Sequence, residues 1–377
     1  MSTPKPIKKN NNQPQRPGPR SPHSSQAKTT TKPNPVPDTG DKPYGLVPLS
    51  TKVHREHPAK QNRDAGQDRF RDDLISGKLY ITLTAQTSTF VASGVVAMGR
   101  DVNFKVDLVK TAVHQRNTLI IPGSSLKGVI RSAYEALTRS CLCKTKANLK
   151  KTPDYIECKI DARKKKFDVC PACRVFGAMG WQGLVSFQDS KGQVISNNVE
   201  FMPSLYGPKP ENPMYENSGK VAGRKFYYHG VKAVTSKKTP DGKNKKGIDA
   251  QKAQQGYIFK TVIQFKNLTE AELGTLFVIL GQDDAHKIAL KVGGGKPIGM
   301  GSLVAAVDAL EKPGSPRDRY TRYTLPESDR PTGEALRNYM QAAIAKAHQD
   351  LIQKQQLEEL ARILAWPTQR TAPEDMY

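Results

Sequence analysis

Ile121-Pro122-Gly123-Ser124-Ser125-Leu126-Lys127-Gly128 opens the stretch on which the reading of this chain turns, and Cys170-Pro171-Ala172-Cys173-Arg174-Val175-Phe176-Gly177 closes it. Leu126, Val129, Ile130, Ala133, Tyr134 and Leu137 recur at three- and four-residue intervals, so they form one apolar stripe and predict an amphipathic helix. Ser124 or Ser125 is expected to cap its first turn. Lys127 and Arg131 lie one turn apart, off the stripe. Pro-Gly-Ser-Ser before the helix supplies free amides at the positive end of a helix dipole, a combination that favours phosphate. The Walker spacing G-x4-G-K-[ST] is absent. A tight turn between core elements explains the same residues equally well when they are taken alone.

All five cysteines lie between Cys141 and Cys173, with no histidine in that window. The spacing is C-x-C, fourteen residues to Cys158, eleven to Cys170, and C-x2-C to Cys173. Four thiolates suit tetrahedral zinc, and C-x2-C is a usual half-site. Cys170 and Cys173 are the firmest ligands and Cys158 the next; either Cys141 or Cys143 completes the set, with Cys143 favoured because Cys141 can still belong to the helix. Four protein thiolates leave no open position, which points to a structural ion. It would close an insertion over 138–174 that carries Lys144, Lys146, Lys150, Lys151, Lys164, Lys165 and Lys166.

Outward from this stretch, Leu79, Ile81 and Leu83 alternate with Tyr80, Thr82 and Thr84 as in a half-buried strand. Val91-Ala92-Ser93-Gly94 reads as a glycine turn and Leu119-Ile120-Ile121 as a short apolar run. Downstream, Leu184 to Gln188 predicts a strand, and strand signals return at Ile258, Val262 and Phe265. Thr269-Glu270-Ala271-Glu272 has the form of a capping box before Leu273, Leu276, Phe277 and Leu280, a second amphipathic helix. A glycine cluster at 293–301 precedes an apolar strand from Leu303 to Val307, and a long helical segment runs from about Gly333 to Trp366. Strand, helix, strand and again strand, helix, strand is compatible with a ferredoxin-like split βαβ core, an α+β fold. Residues 190–257 are polar, glycine-broken and lysine-rich from Lys232 to Lys252, and predict an extended arm or disordered insertion, with Asp241-Gly242 as a hairpin-like turn.

The 377 residues carry a formal charge of +24, which favours an anionic partner, nucleic acid before an acidic membrane surface. No run of about 18 apolar residues is present and the basic N-terminus lacks an apolar h-region, so a cytosolic location is expected. Residues 1–75 are expected to form a basic N-terminal arm, disordered over residues 1 to about 45 because they have almost nothing to bury, with ordered structure starting near Leu74.

In combination, I-P-G-S-S-L-K-G-x-x-R at 121–131, C-P-x-C-R-x-F-G at 170–177, N-L-T-x-x-E-L at 267–273 and G-G-G-K-P-x-G-x-G at 293–301 resemble the RAMP superfamily of CRISPR-associated proteins, specifically the backbone subunits of type III effector complexes. The resemblance covers roughly residues 76–310, leaving 313–377 as a C-terminal helical extension. It implies an RRM-like core over 76–312 that lines up with other RAMP subunits and the large subunit along a guide RNA. It also implies a thumb that inserts into the guide–target duplex; the lysine run 232–252 is the best candidate for that thumb or for a target-side clamp. Carried onto matching positions, it assigns Ser124, Ser125, Lys127 and Arg131 to the guide backbone at the helix start. Gly293, Gly294, Gly295, Lys296 and Gly299 form a glycine loop beside the same RNA, and Arg224, Lys225, Tyr227 and His229 contact RNA by charge or stacking. In catalytic members an aspartate before this helix cleaves target RNA with a divalent metal such as Mg; the spacing points to Asp107, with Asp101 as the fallback. Val106-Asp107-Leu108-Val109-Lys110 lacks the proline and second acidic residue often found there. Two readings follow: a metal-dependent endoribonuclease subunit, or a non-cleaving backbone or cap subunit of the same complex.

Overall fold

The core strands form because their apolar residues fall on one face. The computed structural model describes residues 42–373 except 59–65, 117, 144, 146–148, 165, 196–197, 206–215, 218–219, 313–320, 322 and 325–329. Most of the expected N-terminal arm therefore lies outside the described residues. In chain order the first half runs β1 (Tyr44–Pro48), β2 (Ile75–Ala85), β3 (Ala92–Met98), β4 (Leu108–Ala112), β5 (His114–Gln115), β6 (Thr118–Ile121), α1 (Gly123–Leu137), α2 (Pro171–Phe176), β7 (Val185–Phe187) and β8 (Ser190–Ile195). There follow β9 (Val199–Pro203), β10 (Glu216–Asn217), β11 (Lys220–Val221), β12 (Gly223–Tyr227), β13 (Gly247–Gln251), β14 (Ile258–Leu268), α3 (Glu270–Ile279), β15 (Leu290–Lys291), β16 (Ser302–Glu311), α4 (Gly333–Asp350) and α5 (Lys354–Leu364).

The main sheet is antiparallel, in the order β15-β16-β2-β14-β8-β6-β5, with β7 also paired to β14. Its middle, β16-β2-β14-β7/β8, is the fourth-first-third-second order of a split βαβ core, with α1 and α3 as its two helices. Leu79, Ile81, Leu83 and Ala85 of β2 are buried, as their alternation predicts, and Phe259, Ile263 and Phe265 of β14 share the core. Each of these leucine, isoleucine and phenylalanine side chains contributes about 1.5–3 kcal/mol by leaving water. α1 buries Leu126, Ile130, Ala133, Tyr134 and Leu137 of the predicted stripe, with Val129 partly buried at its edge.

Four expectations change. Ordered structure begins before Leu74, since β1 pairs with β12 and buries Tyr44 and Val47. Val91-Ala92-Ser93-Gly94 is no simple turn: β3 starts at Ala92 and pairs with β4 in a second sheet, β3-β4-β13-β9. Residues 190–257 do not form one free arm, because β8 joins the main sheet, β9 and β13 the second sheet, and β12 pairs with β1. The turn at Asp241-Gly242 is present, closed by a Thr239–Lys243 backbone bond. Finally, α3 carries its expected capping box but is buried all round, because α4 covers the face that the sheet leaves open. The helices approach closely at Gly274, where a Cβ would strike the Ala343 carbonyl. The C-terminal segment thus divides into α4 on α3 and α5 on α1, β1 and β12.

Candidate nucleic-acid interface and metal centre

The first turn of α1 is capped from elsewhere in the chain. Pro122 stands at the N-cap with no side-chain cap, so neither Ser124 nor Ser125 plays that part. Instead the Gly123 amide donates to the Asp189 carboxylate at 2.8 Å. The expected phosphate nest is therefore partly filled by the protein's own anion, Asp189.

Along the flank of α1 runs a cleft of about 500 Å³. Ser125, Gly128 and Ser132 line it from α1, Lys225 and Tyr227 from β12, and Lys291, Gly293, Gly294 and Lys296 from β15 and the glycine loop. Three separated sequence motifs meet here. None of the described residues that line the cleft is Asp or Glu. Burial, and then Lys42, pushes the Lys225 ammonium down to about 8. Its Nζ lies 3.8 Å from the Tyr44 ring centroid and 4.6 Å from that of Tyr227. Burial and the neighbouring Lys296 push Lys291 down to about 7, and burial lowers Lys296 as well. An anion beside such buried ammonium groups favours their charged form. Gly293, Gly295 and Gly299 all have positive φ; Gly295 and Gly299 shape the loop without lining the cleft, and the Gly299 carbonyl accepts from Thr87 Oγ1 at 2.9 Å. Ser124 and Lys127 face a second cleft of about 600 Å³ on the other side of the helix start, with Gln182, Gln264 and Lys266.

Arg131, Arg224 and His229, expected at RNA, are engaged inside the protein. The buried Glu135 carboxylate accepts from Arg131 Nε at 2.8 Å and from Arg224 Nη1 at 2.7 Å. Burial pushes that carboxyl up, and the two guanidiniums pull against it. Arg131 also donates to the Gly177 carbonyl at 3.0 Å and to Cys173 Sγ at 3.4 Å; Arg224 reaches the Cys141 carbonyl at 2.6 Å. His229 is 2% exposed, sits against Ser302 Oγ at 2.8 Å and the Ala289 carbonyl at 3.1 Å, and is held down to about 3 by burial, so it is neutral. β12 brings Lys225, Phe226 and Tyr227 to the cleft wall, while Arg224 points to Glu135. Lys291 and Glu135 escaped the sequence reading; the only sign of either was a charge inside an apolar run, Ala289-Leu290-Lys291-Val292 and Tyr134-Glu135-Ala136-Leu137.

The motifs interlock in the same way further on. Arg174, after the C-x2-C pair, forms an ion pair with Glu272, the acidic member of the capping box. Asn267 adopts a left-handed φ of 54° and donates from Nδ2 to the carbonyls of Gly66 and Arg69, each at 2.8 Å. Much of the shared sequence pattern thus holds the core together.

Cys141, Cys158, Cys170 and Cys173 place their sulfurs within 4.8 Å of one another, all buried. Cys141 Sγ lies 3.5 Å from that of Cys173 and 3.6 Å from that of Cys170. A tetrahedral ion with sulfur ligands at about 2.3 Å separates them by about 3.8 Å, so the set fits such an ion with a small expansion. Amides of Cys141 and Cys170 and the Arg131 guanidinium point at these sulfurs, as donors do around metal-bound thiolates. Cys143 does not join them: it is half-buried and turned to Glu157 Oε2, 3.6 Å away. The preference for Cys143 is corrected to Cys141. After α1 ends, Ser140 Oγ accepts from the Ala172 amide at 3.0 Å, and this docks Cys141 beside the C-x2-C turn.

Asp107 is exposed in a bend immediately before β4, with its carbonyl accepting from the Gly99 amide at 3.0 Å. Among the described residues it belongs to no cluster of three or more His, Cys, Asp or Glu ligand atoms. Asp101 is exposed and lies 3.6 Å from Arg100.

Among the described residues no helix is long and apolar enough to cross a membrane. No curated protein matches the sequence. Among solved structures it is similar to a chain in the cryo-EM structure of the type III-B Cmr-beta bound to cognate target RNA, at 14% identity and a TM-score of 0.32. The likeness covers 63% of this chain and 61% of that one, so the chain spans about three fifths of that chain's length. Residues 82–304, from the middle of β2 into β16, match the RAMP superfamily, and this chain belongs to that superfamily.

Proposed function

We propose that this chain is a subunit of a type III CRISPR RNA-guided effector complex and that the cleft beside α1 holds the backbone of the guide RNA. The observation that carries the reading is the convergence of Lys225, Lys291 and Lys296 with Tyr227 and the flank of α1, in a wall whose described residues include no Asp or Glu. Phosphates would interact with these ammonium groups, and the tyrosine offers a face for a base or sugar. The glycine loop lets RNA approach the main chain at Gly293 and Gly294. Its partners in this reading are the guide RNA, the target RNA, neighbouring RAMP subunits and the large subunit. The lysine-bearing hairpin around Asp241-Gly242 serves as the target-side thumb. Cys141, Cys158, Cys170 and Cys173 hold a structural zinc ion that ties the 138–174 insertion to α1.

A second reading adds target cleavage at Asp107. What favours it is the exposure of that carboxylate on the segment that leads through β4–β6 into α1. RNA brings its own nucleophile in the 2′-hydroxyl, and Asp107 would accept or orient that proton. A divalent cation such as Mg would neutralise charge on the scissile phosphate. Reconstitution of the complex tests both. Loss of guide RNA on substitution of Lys225 and Lys296, with folding retained, is the expected result for the binding role. Asp107→Ala separates the readings: disappearance of one cleavage product with target binding intact supports cleavage, and an unchanged product pattern leaves the non-cleaving backbone role.

A further inference from the structure

Away from the cleft and the cysteines, Asp283, His286 and His348 converge from two elements. Asp283 and His286 lie in the loop after α3, and His348 in the last turn of α4. Asp283 is 3% exposed. Its Oδ2 faces His286 Nδ1 and His348 Nε2, each at 2.9 Å, while Oδ1 accepts the Ala285 amide at 2.9 Å. The two imidazoles, 5.7 Å apart between centroids, sit at the rim with side-chain exposures of 27% and 34%.

We propose that these three side chains form a second metal site, in which Asp283 Oδ2, His286 Nδ1 and His348 Nε2 hold a zinc-like divalent transition-metal ion. Two imidazole nitrogens and one carboxylate oxygen are ordinary ligands for such an ion, and all three atoms lie within 4.8 Å of one another. Around a tetrahedral ion with bonds of about 2.0–2.1 Å, neighbouring donors are about 3.4 Å apart. The observed spacing opens to that value by rotation of the two rim imidazoles, while the buried carboxylate stays fixed by Ala285. The partly exposed rim leaves a fourth position for water, unlike the closed four-cysteine set. Bound there, the ion cross-links α4 to the loop that ends α3, beside the existing Gln341–Gln282 bond at 2.9 Å. Because α4 covers the outer face of α3, the site fastens the C-terminal helices to the core.

The test is zinc binding to the full-length chain after chelator stripping, with cobalt(II) as a spectroscopic probe. The expected result is two classes of zinc site. One depends on Cys141 and shows thiolate charge transfer with cobalt; the other is weaker and shows ligand-field bands alone. His286→Ala, on the exposed loop, and the isosteric Asp283→Asn should each weaken the second class by at least about tenfold and leave the first intact. Saturating zinc should raise the melting temperature above that of protein filled only at the cysteines, and His286→Ala should abolish that increment. A single class of site in the unaltered chain, or a second class that survives both substitutions, overturns the proposal.

Discussion

Exchanging single cysteines distinguishes the geometry of the thiolate cluster from a reading of its spacing. Cys141→Ala removes a sulfur that lies 3.5–3.6 Å from two others in a fully buried site, so a zinc ion would be left with three thiolates. If free zinc stands about 1,000-fold above its dissociation constant, binding to the folded state alone contributes about 4 kcal/mol. Cys141→Ala should forfeit most of that, together with a further roughly 1 kcal/mol or more for the buried side chain. Cys143→Ala removes a half-buried thiol whose partner is Glu157, and should change stability by no more than about 0.5 kcal/mol. Urea unfolding of both variants, with and without a chelator, reads the difference. In Cys141→Ala the chelator should have little left to remove from this site; in Cys143→Ala it should lower the midpoint as much as in the unaltered chain. A Cys143 variant that loses zinc while the Cys141 variant keeps it would refute the geometric assignment.

Further outcomes follow from the same structure. Lys225 and Lys291 are pushed down to about 8 and 7, so folding disfavours their charged forms. The stability they contribute is fully present above the unfolded lysine value of about 10.4 and is lost as pH falls through 8 and 7. RNA phosphate restores those charges, so binding takes up protons; affinity measured by fluorescence anisotropy should fall between pH 7 and 9, by at most about tenfold per pH unit per lysine, and Lys291→Met should flatten the curve. An unchanged pH profile in Lys291→Met would exclude that lysine from the interface. Gly293→Ala forces a side chain into a left-handed φ of 81° and against the Phe90 carbonyl, and should cost at least about 1–2 kcal/mol in denaturant unfolding; a change under about 0.5 kcal/mol would contradict the loop geometry. Glu135→Ala leaves the partly buried Arg131 and Arg224 without their carboxylate and should cost about 3–5 kcal/mol; a loss below about 1 kcal/mol would show that solvent compensates them.

The split βαβ core was legible because its evidence is local. The alternation at Leu79–Leu83, the stripe from Leu126 to Leu137 and the Thr269–Glu272 capping box each act within one element. What the sequence concealed depends on contacts between distant segments. The burial of α3 on every side follows from α4, about sixty residues later. Arg224 and His229 look available in Gly223-Arg224-Lys225-Phe226-Tyr227-Tyr228-His229 until the strand's faces are fixed by β1, α5 and Glu135. The choice of Cys141 over Cys143 follows from how the chain leaves α1 through Thr138 and Ser140, which spacing does not encode. Conversely, the glycine loop and the α1 start did meet at one cleft, and the lysine that joins them there, Lys291, lay hidden in an apolar run. Net charge announced an anionic partner without indicating which few of the fifty-nine Lys and Arg residues face it.

The most direct test of the account is the salt dependence of single-stranded RNA binding by the full-length chain and by its Lys225→Ala/Lys296→Ala variant. Each phosphate contact contributes about 0.7 to the slope of log affinity against log salt for single strands. The account predicts that the double substitution weakens binding and flattens the slope by up to about 1.4, with the circular dichroism spectrum and thermal midpoint retained. Unchanged affinity and an unchanged slope in a folded variant would contradict the assignment of the cleft to RNA.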